Sequence, residues 1–277
     1  MRNLLTRHPL LVIAGKEFRE RLRSRWVLAV AAVLAVFALA IAWFGAAQQG
    51  AVGFRGAGVT IASLVSLVIY LVPLIALLLG YDALVGERER GSLDLLLALP
   101  LSRAELLFGK FLGLGAALAA TIVAGFGLAG LVLGRQFGGA GLLAYGGFVG
   151  STLLLGLAFL SLALLISVLA ASRVVAGGLA IALWFLLVLA YDLLLLGLLV
   201  ATAGGFLGAA FPLLLLLNPA DVFRLLNVMS LEDVRALYGL ATVMPARLAD
   251  PRVQGAVLLL WIAVPLGAAW LRFRKAR

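Results

Sequence analysis

The sequence contains no cysteine, a single histidine (His8) and three methionines. Disulfide bonds and thiolate metal sites are therefore excluded, and the side chains that bind soft metals are scarce. No segment fits G-x-x-x-x-G-K-[ST], the phosphate-binding loop of many ATPases, and no group of His, Asp and Glu has the spacing of a metal site. We therefore expect no catalytic residue, no metal site and no bound cofactor in this chain.

Charge is also in short supply, because Asp, Glu, Lys and Arg make up 12% of the 277 residues, against about 25% in a soluble domain. Hydrophobic residues reach 65%, more than a soluble protein of this length can bury. A helix crosses a bilayer about 30 Å thick with about 20 apolar residues. Six stretches meet that length: Trp26–Ala47, Thr60–Tyr81, Phe111–Leu133, Tyr145–Ala171, Val174–Val200 and Val253–Leu271. The composition predicts an all-α integral membrane protein with six transmembrane helices.

The distribution of Lys and Arg predicts which way these helices face. With the N-terminus inside, 16 of the 22 basic residues lie in cytoplasmic segments and 6 lie outside. Both termini are therefore expected in the cytoplasm, in a protein of the bacterial inner membrane. We treat residues 1–277 as one transmembrane domain with three segments of interest: residues 1–25 before the first span, residues 82–110 on the cytoplasmic side and residues 201–252 on the periplasmic side.

The N-terminal segment is both basic and apolar. Between Leu10 and Arg25, leucine, isoleucine and phenylalanine side chains are interspersed with five Lys and Arg residues. Such a helix lies at the membrane surface with its cations directed towards anionic headgroups. We predict an N-terminal interfacial helix over residues 1–25; the alternative is a merely basic tail.

The cytoplasmic segment between spans two and three carries the most informative pattern. Pro100 should end a short helix, and Ser102, followed three residues later by Glu105, forms a capping box for the next helix. The short helix carries Leu93, Leu95, Leu96, Leu97 and Leu99. These leucines would be exposed to water unless a partner protein or the bilayer surface covers them.

The same segment resembles the cytoplasmic loop of ABC type-2 permeases, the membrane subunits of one large class of ABC transporters. The shared pattern, E-x-E-x-G-[ST]-x-[DE]-x-L-L-x-x-P-x-S-R, runs from Glu87 to Arg103. In such permeases this loop contains a coupling helix that docks on a separate ATPase subunit, which binds ATP and Mg. The resemblance therefore implies ATPase-coupling contacts at Glu87, Glu89, Asp94, Leu96, Leu97, Pro100, Ser102 and Arg103.

Within this family, the chain is most similar to permeases of transporters that mature the copper centres of nitrous oxide reductase. The similarity rests on the length, the segment Gly86–Lys110 and the segment Asn218–Asn227. It implies a cytoplasmic ATPase dimer, a periplasmic β-helix protein and a second copy of the permease as partners. Copper, a sulfur species, or mechanical signalling without cargo all fit the resemblance. The alternatives are an ABC exporter for another small cargo and a secondary transporter.

The periplasmic segment, residues 201–252, contains two features of interest. Phe206–Leu217 is apolar but too short to span, which is typical of a re-entrant or interfacial segment. Asn218-Pro219 then starts a helix with an apolar face. Such order favours a docking platform over a self-contained lid. The expected contacts with a periplasmic partner are Asp221, Phe223, Arg224, Glu232 and Arg235.

Asp192 is the one acidic residue within an apolar span, near its outer end. An ionisable group at membrane depth is by default a candidate for function. Two interpretations stay open. Asp192 is either a structural anchor, hydrated or hydrogen-bonded to Tyr70, Tyr145 or a backbone group, or it has a role in cargo handling or gating.

Overall fold

The computed structural model describes residues 9–44, 57–201, 207–229, 248 and 250–275. Every regular element in this part of the chain is helical, which confirms the all-α prediction. The helices are α1 (Pro9–Leu22), α2 (Arg25–Phe44), α3 (Ala57–Gly80), α4 (Val85–Glu89), α5 (Ser92–Leu97), α6 (Arg103–Leu169), α7 (Arg173–Trp184), α8 (Tyr191–Ala201), α9 (Leu207–Leu216), α10 (Pro219–Met229) and α11 (Pro251–Lys275). A π-helical segment, Phe185–Ala190, joins α7 to α8 without a break.

Six helical stretches are long and apolar enough to cross a membrane, as the sequence predicted. They are Val27–Phe44, Thr60–Glu89, Arg103–Val132, Gly138–Leu169, Arg173–Leu198 and Pro251–Lys275. The third and fourth spans begin several residues earlier than expected from hydropathy alone. Which side of the membrane each end faces stays a prediction from the distribution of basic residues.

The third and fourth spans form a single helical element, α6, that changes direction at Gly138. This residue has φ 62° and ψ −179°, a combination that is essentially restricted to glycine. We call residues Arg103–Val132 the first arm of α6 and residues Gly138–Leu169 its second arm. The two arms pack together, so that Tyr145 in the second arm donates a hydrogen bond to the carbonyl of Phe126 in the first.

The core is built around α6, which contacts α1, α2, α3 and α11 along much of its length. Fully buried apolar side chains at its centre include Leu34, Leu64, Leu114 and Phe159. The fifth span (Arg173–Leu198) behaves differently, because only 17% of its most apolar window is buried within the chain. Its apolar outer face is therefore left to lipid or to another protein chain.

Helix α1 packs against the first arm of α6 through glycine. A Cβ atom at Gly113 would lie 2.6 Å from the carbonyl oxygen of Ala14, and one at Gly109 would lie 2.9 Å from the Cβ of Ile13. Glycines four residues apart let two helix backbones approach closely. The predicted interfacial helix is therefore docked on the third span, with Glu17 buried in the contact.

Candidate functional site

The segment between α3 and α6 folds as the sequence predicted. Helix α5 ends at Leu97, shortly before Pro100, and α6 begins at Arg103 with Ser102 as its N-cap. The Ser102 hydroxyl accepts a hydrogen bond from the Glu105 backbone N–H at 3.1 Å, and the Ser102 N–H donates to the Glu105 carboxylate at 2.8 Å. This reciprocal pair is a capping box, and it fixes the direction in which the first arm leaves the segment.

Helix α4 is held by the C-terminal end of the second arm and by α7. The N–H groups of Leu84 and Val85 donate to the Ser167 hydroxyl at 2.9 and 3.1 Å. The Arg88 guanidinium donates to the carbonyl of Ala170. The Glu89 carboxylate accepts a hydrogen bond from the Arg173 N–H at 2.8 Å. The segment between α3 and α6 and the turn between α6 and α7 were both predicted to be cytoplasmic. The contacts with Ser167, Ala170 and Arg173 join them, and we call this region the polar junction.

Three charged side chains meet inside this junction, and we call them the buried ion triad: Glu17, Lys110 and Glu87. The Lys110 Nζ lies 2.7 Å from Oε1 of Glu17 and 2.7 Å from Oε1 of Glu87, while the lysine side chain is 2% exposed. The triad connects α1, α4 and the first arm of α6. Two carboxylates thus share one cation in a place shielded from water, where each charge depends on its partner.

The triad changes the role expected for Glu87. The sequence predicted a contact with an ATPase, but this side chain is buried and directed at Lys110. It lies inside the junction, beside a pocket of about 270 Å³ whose lining is mainly polar and includes Lys16, Glu17 and Asp82. Sequence reasoning missed Glu17 and Lys110. The signal available was the placement of a lysine between Gly109 and Phe111, at the start of an apolar run.

The remaining residues of the predicted coupling contact fall into two groups. Glu89, Asp94, Pro100 and Ser102 are exposed, whereas Leu96 and Leu97 are half-buried against the core. Arg103 is half-buried, donates to the Phe273 carbonyl at 3.2 Å and stacks on the ring of that residue. Of the five leucines, Leu95 and Leu99 are the most exposed, at 74% and 53%, and Leu93 is buried. These two side chains are available to a partner.

A second group of polar residues lies near the end of the fifth span, and we call it the outer polar cluster: Asp192, Asn218, Asp221 and Arg224. The Arg224 guanidinium donates to Asp221 and to Asp192, each at 2.7 Å. Asn218 donates to Asp221 at 2.9 Å and to the Leu187 carbonyl, inside the π-helical segment, at 2.7 Å. Helix α10 is thus fastened to the fifth span.

Two features of the outer polar cluster set its electrostatics. Asp221 is 1% exposed, and burial raises its pKa to about 7; the Arg224 charge opposes that shift and the Asp192 charge adds to it. The second feature is an excess of negative charge, because the carboxylates of Asp192 and Asp221 share the single guanidinium of Arg224. Burial and the neighbouring Asp192 charge therefore both raise the affinity of Asp221 for a proton.

The structure shows the contacts of Asp192 and of its predicted partners, Tyr70 and Tyr145. Asp192 is paired with Arg224, a partner that the sequence analysis did not consider. Tyr145 instead donates to Phe126, and the backbone carbonyl of Tyr70 accepts a hydrogen bond from Trp184. Asp192 therefore has a charged partner within this chain, and its role stays a prediction.

The residues expected to contact a periplasmic partner are placed differently from one another. Phe223 is fully buried, with its ring 6.3 Å from that of Phe148, and Asp221 is buried in the outer polar cluster. Both side chains therefore contact this chain's interior rather than an outward-facing surface. Arg224 is 34% exposed. Glu232 and Arg235 lie outside the described residues.

Comparison with known proteins identifies the chain's family. The family described as ABC-2 family transporter protein matches residues 11–277. A probable ABC transporter permease protein NosY from Stutzerimonas stutzeri is 45% identical over 271 residues, covering 95% of this chain and 97% of the relative. Its counterpart from Pseudomonas aeruginosa is 46% identical over 269 residues, with the same coverage. With its six apolar spans, the chain belongs to the ABC-2 transporter family and is a multi-pass permease of the bacterial inner membrane.

Proposed function

We propose that this chain is the non-catalytic membrane subunit of an ATP-driven transporter that serves maturation of the copper centres of nitrous oxide reductase. A separate NosF-type ATPase dimer would bind ATP and Mg on the cytoplasmic side. The family and the similarity to NosY proteins support this assignment. The observation that carries the mechanism is the polar junction, which links the coupling segment to α1, to both arms of α6 and to α7.

The first step of the proposed mechanism is docking of the ATPase on α5 and its surroundings. The residues proposed for this contact are Glu89, Asp94, Leu96, Leu97, Pro100, Ser102 and Arg103, with Leu95 and Leu99 as the exposed apolar members. Covering a leucine side chain contributes about 25 cal/mol per Å² of apolar surface. Glu87 contributes indirectly, because its bond to Lys110 makes α4 move together with α1 and the first arm.

The second step carries the movement to the periplasmic side. The Glu89–Arg173 contact ties α4 to the start of the fifth span, and the Asp192–Arg224 ion pair ties the end of that span to α10. Helix α10 therefore follows the fifth span when the coupling segment moves. A NosD-type periplasmic β-helix protein would receive this movement through the segment 201–252, where Arg224 is partly exposed.

A second copy of the permease would complete the assembly. The exposed apolar side chains of the fifth span supply a surface for either the second copy or lipid. As for cargo, a chain without a single thiol is poorly suited to tight binding of copper in its spans. This favours a sulfur-containing cargo or purely mechanical transmission, with the metal handled by the periplasmic partner.

The test of this proposal is recovery of partners from membranes that contain all subunits. We expect the tagged permease, solubilised in mild detergent, to co-purify with an ATPase and a periplasmic β-helix protein. Leu95→Glu should abolish recovery of the ATPase, because it places a charge in an apolar contact. Glu20→Lys is the control, since Glu20 is an exposed carboxylate on α1 outside the coupling segment. Absence of both partners from wild-type material would contradict the proposal.

A further inference from the structure

A cavity of about 460 Å³ lies between α5, the end of the second arm of α6 and the last turns of α11. Three arginines line it, namely Arg88, Arg103 and Arg272, together with a single acidic residue, Asp94. Much of the remaining wall is apolar and includes Leu169 and Phe273. The cavity thus combines a concentrated positive charge with a hydrophobic lining.

The three arginines have hydrogen-bonding capacity to spare. Among the described residues, none of them forms an ion pair with a carboxylate, although seven such pairs exist elsewhere in the same part of the chain. Arg88 donates to the Ala170 carbonyl and Arg103 to the Phe273 carbonyl. A guanidinium carries five N–H donors, so most donors around the cavity remain available to an anion. A phosphate group suits such a fork of donors well.

The position of the cavity indicates whether the phosphate belongs to a lipid or to a soluble compound. It lies where two spans end, at Leu169 and at Lys275, on the side that the basic residues predict to be cytoplasmic. Leu169, on its wall, is 56% exposed and adjoins the apolar surface of the spans. Basic pockets between transmembrane helices on this side are suited to anionic lipid headgroups. A soluble phosphate would leave the apolar part of the wall uncovered.

The cavity adjoins the surface proposed for the ATPase, because three of the proposed contact residues, Asp94, Leu97 and Arg103, also line it. Asp94 and Leu97, three residues apart on one face of α5, point towards the cavity, whereas Leu95 and Leu99 do not line it. A lipid in the cavity would therefore support α5 from one face while the ATPase covers the other. With lipid bound, Leu95 and Leu99 stay available to the ATPase, whereas Asp94, Leu97 and Arg103 face the lipid.

From these observations we infer that the cavity binds an anionic phospholipid of the cytoplasmic leaflet. Arg88, Arg103 and Arg272 hold its phosphate, and an acyl chain lies along Leu169. This site is independent of the identity of the transported cargo. It gives α5 and the C-terminal turns of α11 a common, lipid-dependent support.

The test compares lipid stabilisation of the full-length permease in nanodiscs. The probes are phosphatidylcholine alone, phosphatidylcholine with phosphatidylglycerol, and phosphatidylcholine with inorganic phosphate in solution. The tested variant is Arg272→Gln, because Arg272 forms no ion pair within the described part of the chain and its replacement leaves the contacts of Arg88 and Arg103 in place. Arg274→Gln is the matched control: Arg274 lies on the same turns of α11 but stacks on Trp270, away from the cavity. Native mass spectrometry counts bound phosphatidylglycerol, and thermal unfolding reports its effect.

We expect phosphatidylglycerol to raise the Tm of the wild type and of Arg274→Gln. Arg272→Gln should bind it about tenfold more weakly, as for loss of one charge-assisted hydrogen bond, and Arg272→Lys should restore part of the affinity. Equal losses in Arg272→Gln and Arg274→Gln would reduce the effect to general surface charge and overturn the inference. So would full reproduction of the Tm rise by inorganic phosphate. In the co-purification experiment described above, loss of the ATPase from Arg272→Gln, with its binding of phosphatidylglycerol unchanged, would assign the cavity to the ATPase instead.

Discussion

The Nζ atom of Lys110 lies 2.7 Å from Oε1 of Glu87, and both side chains are buried where α4 meets the first arm of α6. The same nitrogen lies equally close to Glu17 on α1. The Lys110 ammonium thus binds the carboxylates of Glu17 and Glu87, which lie on helices that are distant in the sequence. The second oxygen of Glu87 has no hydrogen-bond partner among the described residues, so the geometry depends on the lysine.

Lys110→Met should therefore be severely destabilising. It leaves Glu17 and Glu87 buried together without a cation, which costs about 3–5 kcal/mol when a buried pair is broken. The triple variant Glu17→Gln, Glu87→Gln, Lys110→Met removes every charge, and we expect it to recover most of that loss. Thermal unfolding in detergent measures both. Equal stability of the single and triple variants would show that the charges are not coupled.

Substitutions at Arg224 and at Asp192, two ion-paired residues of the outer polar cluster, should lower stability by different amounts. Arg224→Met removes the cation that pairs with the buried Asp221, and should cost about 1–3 kcal/mol. Asp192→Asn retains an oxygen that can accept from Arg224 at a partly exposed site, so its cost should stay below about 1 kcal/mol. Unfolding temperatures of the two variants measure the difference. Nitrous oxide reductase activity in cells supplies the functional measurement. Loss of that activity in a stable Asp192→Asn protein would instead give Asp192 a role in transport.

The pKa of Asp221 predicts how stability varies with pH. Burial raises it from 3.8 to about 7, so between these values the folded state binds a proton more tightly than the unfolded state. The contribution of Asp221 is therefore most favourable at low pH, and it declines as pH rises towards 7. We expect the stability of wild type minus that of Asp221→Asn to fall between about pH 4 and pH 7 and to level off above. A pH-independent difference would contradict this account.

Local sequence signals predicted the parts of the fold that depend on neighbouring residues. The six spans follow from apolar runs, and the capping box follows from Ser102 and Glu105, three positions apart. The ion pairs could not be obtained in this way. Glu17 and Lys110 are 93 positions apart, and Arg224 meets Asp192 only because α10 folds back on the fifth span. Glu87 was expected to contact an ATPase, yet its side chain is directed at Lys110, and no local pattern connects these two residues.

Close packing of α1 on the first arm gives a prediction with an internal control. Alanine is favoured over glycine in a helix by about 1 kcal/mol, so Gly127→Ala should be neutral or stabilising, because nothing lies within 4 Å of its added Cβ. At Gly113 the added Cβ would lie 2.6 Å from the Ala14 carbonyl oxygen and 2.7 Å from the Cβ of Glu17. Gly113→Ala should therefore lower the Tm and push Glu17 away from Lys110.

Hydrogen exchange distinguishes this displacement from a general loss of stability. In Gly113→Ala the backbone amides of α1 should exchange faster, while those of α3 and α11 stay as protected as in the wild type. The reason is that α1 packs mainly against α6 and has little contact with α3 or α11. Gly127→Ala should leave α1 unchanged. If the two variants shift the Tm in the same direction and leave α1 equally protected, the glycine contact does not hold α1 in place, and the buried ion triad alone must do so.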